Sequence, residues 1–166
     1  GGEAGREEEL VVRRRCRARW EAGNVDVAVQ IISLAVEEPL FSSIQAEVSR
    51  MARNVHPRIL SLHAAFQHTT PSNKPTLWLI FEHMDRGTCG EQLEAHGGHA
   101  QGFPPDTVLY ILSQALLALD HLHSQRIFHR DVRADSLLLD CHYGVKLTDN
   151  SLSGLVLGGG GGGGGG

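Results

Sequence analysis

The feature that most limits the possible folds is a helical stripe in the second half of the chain. Pro104 and Pro105 open it, and Val108, Ile111, Leu112, Ala115, Leu116, Leu119 and Leu122 recur at helical spacing. A stripe that wide has to be packed against something. The first half of the chain carries a different period: Val25, Val27, Val29 and Ile31 alternate with Asp26, Ala28 and Gln30 as in a strand, until Ile32 breaks the pattern. Ala28 and Gln30 therefore look to the opposite face. Ser42 followed by Gln45 forms a capping box that predicts a helix from there to about Arg53, with Ile44, Val48 and Met51 on one stripe and Glu47 one turn before Met51. The segments "HPRILSLHAAFQ" (56–67) and "TLWLIFEHM" (76–84) read as a hairpin joined by the turn-rich "TTPSNKP". "SLLLD" and "GVKLT" read as two short strands around a turn at 142–144. The order of strands, helix, strands, helix and short hairpin makes the fold class α+β rather than a doubly wound parallel sheet.

With 166 residues, of which 41% are hydrophobic, the chain holds one domain's worth of core. Its formal charge of −4 gives no global field to recruit nucleic acid or an anionic membrane. Cys16, Cys89 and Cys141 are odd in number and far apart, which fits neither a disulfide framework nor a CxxC metal site and points to a reducing, cytoplasmic compartment. No stretch has the layout of a signal peptide or the length of a membrane span. The run Gly158 to Gly166 has no side chain to bury and is excluded from the fold.

Four motifs stand in order: "VAVQII" (27–32), Glu47 followed by "HPRIL" (56–60), "HRDVRADSLLL" (129–139) and "KLTDNSLS" (146–153). Over roughly residues 10 to 155 the chain resembles a eukaryotic protein kinase, nearest the germinal-centre branch of the Ser/Thr kinases. The resemblance implies an antiparallel small lobe with helix C and the first part of a helical large lobe. It also implies roles. Asp131 would orient the attacking hydroxyl, Arg133 would stand where a cation touches the transferred phosphate, and Asp149 would hold a metal ion. Phe81 would be the gatekeeper, Glu82 to Met84 the hinge that meets the adenine edge, and Leu138 the floor opposite Ala28. Apolar residues at these places also serve as plain core, and both roles can hold together.

The departures from the family pattern decide the expected activity. Gln30 stands where the third-strand Lys would pair with Glu47 and contact the phosphates, so Glu47 is expected to lack its partner. A unit charge about 4 Å from a phosphate at an effective dielectric near 20 is worth on the order of 4 kcal/mol, some thousandfold in rate. An amide recovers part of that. Ser136 replaces the Asn that holds a second metal ion, and a short neutral hydroxyl is a poorer ligand for a hard cation. "DNS" (149–151) replaces DFG, removing a packing Phe at Asn150 and a freely turning Gly. The glycine-loop positions fall at about 8–13, where "EELVVR" has no glycine to let backbone approach phosphates.

Upstream, "VVRRRCRARW" reads as a strand with Arg13, Arg15, Arg17 and Arg19 on one face and Cys16, Ala18 and Trp20 on the other. The expectation is that Ala18 and Cys16 cap the adenine while the arginines form a solvated edge; the rival is an arginine reaching into the cleft in place of the lost lysine. His121, His123 and His129 are explained by the kinase-like sequence rather than by a metal, and His129 is expected to pack.

These readings divide the chain into a polar segment 1–9, a small lobe 10–84, a partial large lobe 85–157 and the glycine tail 158–166. The resemblance then implies a truncated, degenerate kinase domain with weak ATP binding, no turnover and poor magnesium occupancy. Its partner would be another protein, met through helix C or the uncovered large-lobe face, with neither nucleic acid nor membrane involved. The alternatives are a working Ser/Thr kinase and a nonfunctional fragment of a larger one.

Overall fold

The computed structural model describes residues 14–21, 23–34, 38–95 and 102–148. The α+β class is observed. Strands β1 (Arg14–Trp20), β2 (Val25–Ser33), β3 (Leu62–Thr69) and β4 (Pro75–Glu82) form one antiparallel sheet in the order β1-β2-β4-β3, with helix α1 (Glu38–Arg53) between β2 and β3. A second antiparallel sheet, β5-β6-β7, is built from Gly87–Thr88, Leu137–Leu139 and Val145–Leu147. Helix α2 (Cys89–Ala95) follows β5, and the long helix α3 (Pro105–Ser124) precedes the loop that leads to β6.

Each lobe has its own core. In the small lobe, Ile32, Leu77, Leu79 and Phe81 on one sheet face pack against Ile44 and Met51 of α1. In the large lobe, Ile111, Ala115, Ala118 and Leu122 of α3 pack against Leu137, Val145 and Leu147, with Ile59 reaching in from the small-lobe side. Backbone bonds reinforce that junction: Leu60 N–H donates to Leu147 C=O at 2.9 Å, and Leu147 N–H donates to Arg58 C=O at 2.8 Å. Residues 54–61 are thus occupied as a connector.

Several expected boundaries move for that reason. The strand expected over 56–67 begins only at Leu62, because Pro57 turns the chain and Arg58 to Leu60 bond to the large lobe. Helix α1 starts at Glu38 rather than Ser42, consistent with Pro39 in its first turn, where a missing N–H costs nothing. In α3 the buried face is Ile111, Gln114, Ala115, Ala118 and Leu122. Val108, Leu112 and Leu116, expected in the same stripe, lie on the exposed side at 38%, 51% and 65% among the described residues. No helix among the described residues is long and apolar enough to cross a membrane.

Candidate functional site

Between the two sheets lies a cleft of about 270 Å³. Ala28, Val29 and Gln30 of β2 form its roof with Cys16 and Arg17 of β1; Phe81 and Leu60 stand at its back; Glu82, His83 and Met84 make the connection between lobes; Leu138, Thr148, Gly87, Thr88 and Glu91 form the floor. The structure therefore brings together these expected residues: Cys16, Ala28, Gln30, Phe81, Glu82, His83, Met84 and Leu138. Glu47, Asp131, Arg133 and Ser136 are not among its lining residues. Asp149, Asn150, the glycine-loop positions 8–13 and the glycine tail lie outside the described residues.

The roof carries a correction. Strands β1 and β2 pair in the register Arg15 to Gln30, Arg17 to Ala28 and Arg19 to Asp26, so Arg17 and Arg19 share the face of Ala28 and Gln30. Ala18 pairs with Val27 and belongs to the opposite face, not over the adenine position. A shift of one residue in register would reverse that assignment. Arg17 forms an ion pair with Asp26, and the Arg19 guanidinium lies 3.5 Å from the other Asp26 oxygen. The hydrogen bond from Arg17 holds the Asp26 carboxyl below its ordinary pKa.

Glu47 is also not left alone, contrary to expectation. Arg50, one turn further along α1, donates from Nε to Glu47 Oε1 at 2.9 Å and from a second nitrogen to the same oxygen. Both side chains are largely covered, at 22% and 18% exposure. The spacing of three residues places the two groups on one helix face, so the carboxylate meets its cation within its own helix.

At the back of the connection, Glu82 is held from three sides. Lys146 Nζ donates to its two carboxylate oxygens at 2.6 and 2.7 Å, and Ser61 N–H donates to Oε1 at 2.6 Å. Its backbone N–H donates to Ser61 C=O. Glu82 thereby joins β4 to β7 across the two lobes. On the floor, Thr88 and Glu91 form a capping box: Thr88 N–H donates to Glu91 Oε2 at 2.7 Å, and Glu91 N–H donates to Thr88 Oγ1 at 3.0 Å. Gly87, at φ 72°, has no room for a side chain, since a Cβ there would lie 2.2 Å from that Glu91 oxygen.

The loop 127–136 beside the floor is held by polar bonds as well as by Ile127 and Ala134, which pack on the large-lobe core. Arg130 adopts a left-handed conformation, φ 64°, which costs energy for a residue with a Cβ. His129 Nε2 meets Thr148 C=O, and Asp131 N–H donates to His129 Nδ1 at 3.3 Å. Thus His129 organises the loop through hydrogen bonds, not through packing alone. Asp131 lies 3.7 Å from the Arg133 guanidinium, which also approaches Asp135 at 3.9 Å. Both distances are solvent-exposed pairings of small energetic weight. Ser136 is fully buried, and its hydroxyl accepts from Arg133 N–H at 2.9 Å and donates to Arg133 C=O at 2.8 Å. Among the described residues no group of three or more His, Cys, Asp or Glu side chains could hold a metal ion.

Sequence reasoning missed Arg17, Val29, Leu60, Gly87, Thr88, Glu91 and Thr148 as lining residues. The "TCGE" spacing of Thr88 to Glu91 is a readable capping signal that places α2 and with it the floor.

The protein kinase domain profile matches residues 14–159, and the chain belongs to that family. Its relatives include Ser/Thr kinases. It is 26% identical over 133 residues to serine/threonine-protein kinase fray2 of Dictyostelium discoideum, covering 80% of this chain and 12% of that protein. A probable serine/threonine-protein kinase of the same organism is 34% identical over 110 residues, 66% of this chain and 22% of that one. Myosin-IIIa of Mus musculus is 31% identical over 98 residues, 59% of this chain and 6% of the myosin. The chain thus spans a quarter or less of the length of these relatives.

Kinase domains in general use ATP with magnesium. Of the two metal ligands that the resemblance implies, Asp149 lies outside the described residues, and the Ser136 hydroxyl does not fit the part. Its proton and an acceptor site are both committed to the backbone of Arg133, and it is sealed from the cleft. As a metal ligand, Ser136 is therefore a misassignment. Its hydroxyl closes the turn at 134–136.

Proposed function

We propose that this chain is a degenerate kinase domain that works as a binding module: it holds an adenine-type nucleotide weakly, does not turn it over, and acts through contact with another protein. The observation that carries the reading is the charge pattern around the cleft. Gln30 puts an amide where phosphoryl transfer calls for a cation, Glu47 is neutralised by Arg50 on its own helix, and Ser136 is closed on its own loop. The partner role is supported by α3, whose Leu109, Leu112, Leu116 and Leu117 are each more than half exposed among the described residues.

The test combines a melting curve with a transfer assay. ATP should raise the melting temperature equally with and without magnesium, and no phosphate should pass from ATP to a generic Ser/Thr peptide. Transfer that disappears in Asp131→Asn would refute the reading. A second reading, a working Ser/Thr kinase in which a β1 arginine takes over the lost charge, is favoured by one observation: the register sets Arg15 opposite Gln30. It requires the opposite outcome in the transfer assay.

A further inference from the structure

We infer that the cleft recognises an uncharged, planar, nucleoside-sized ligand, and that a triphosphate attached to it contributes nothing to binding. The inference rests on the binding-module reading and deepens it by naming the ligand class. Among the described residues, the acidic or basic side chains that line the cleft are Arg17, Glu82, His83 and Glu91. Arg17, Glu82 and Glu91 each have a protein partner, and beside His83 the described lining offers one guanidinium against two carboxylates. Arg17 is paired with Asp26, Glu82 with Lys146, and Glu91 accepts from Thr88 N–H. A triphosphate entering this cleft would displace Asp26 to gain Arg17 and would face two carboxylates.

The uncharged walls point the other way. Ala28, Leu60, Phe81, Met84 and Leu138 supply apolar surface above, behind and below the space, which suits the two faces of a heteroaromatic ring. Size agrees with a small ligand: about 270 Å³ lies just below the usual range of ligand cavities, about 300 to 1,000 Å³. The Arg17 and Arg19 guanidiniums that share Asp26 are 65% and 57% exposed, so their field is screened by solvent and salt.

Isothermal titration of the whole chain with adenosine, ATP without magnesium, and inorganic triphosphate tests the inference. Adenosine and ATP should bind with affinities within about threefold of each other. Inorganic triphosphate should not displace adenosine, and raising the salt concentration should leave the ATP affinity unchanged. An ATP affinity tenfold or more above that of adenosine, falling with salt, would overturn the inference while leaving the binding module intact. Binding of neither adenosine nor ATP would overturn both.

Discussion

Removing the Lys146 ammonium should loosen the junction between the lobes by a measurable amount. Lys146 reaches both oxygens of Glu82 at 2.6 and 2.7 Å, with the two side chains 19% and 22% exposed. In Lys146→Met the stem is kept and the charge is lost. A hydrogen bond to a charged group contributes about 1.5–3 kcal/mol, but Ser61 N–H still satisfies one oxygen, so the expected loss is about 2 kcal/mol. For a domain of this size that corresponds to a melting temperature lower by about 4–8 °C. Urea unfolding followed by tryptophan fluorescence would measure it, and a cycle with Glu82→Gln should give a coupling of about 1–2 kcal/mol. A coupling below about 0.3 kcal/mol would show that the pair behaves like an exposed surface bridge, and the idea of an interlobe tie would have to be abandoned.

Two other expectations follow from single side chains. Ser136→Ala leaves Arg133 N–H without its buried acceptor and should cost about 1–3 kcal/mol in urea unfolding; an unchanged midpoint would mean that water replaces the hydroxyl. Burial pushes the Cys89 thiol up to about 11, so its neutral form persists far into the alkaline range. At pH 8 iodoacetamide should therefore label exposed Cys16 well before Cys89 in the folded protein, and the difference should vanish in urea; equal rates in the fold would contradict the burial.

How much could be read beforehand depended on whether the signal was local. The alternation from Val25 to Ile31 marked β2 correctly because one face is buried and the other forms the cleft roof, giving neighbouring positions opposite demands. The same period in β1 identified a strand but not which face looked inward. That choice belongs to the pairing with β2, and no residue within β1 specifies it. Ala28, Gln30, Phe81, Glu82, Met84 and Leu138 followed from the resemblance to protein kinases, and β2, β4, the connection after β4 and β6 bring them together. The floor from Gly87 to Glu91 was missed although its capping box is local, since a seven-residue helix carries too little periodicity to stand out. Glu47 shows the opposite failure: the helix position was clear, but the lost lysine drew the reading across the cleft when Arg50 stood one turn away.

That local pairing has a wider consequence. Where a carboxylate on this helix depends on a cation across the cleft, filling the cleft and placing the helix become one event, and occupancy can be signalled to whatever touches the helix. Here the carboxylate is already satisfied by a neighbour that travels with it. An incoming ligand has no electrostatic hold on α1, so a protein docked there would meet the same surface whether the cleft is full or empty: a constant platform, not a sensor.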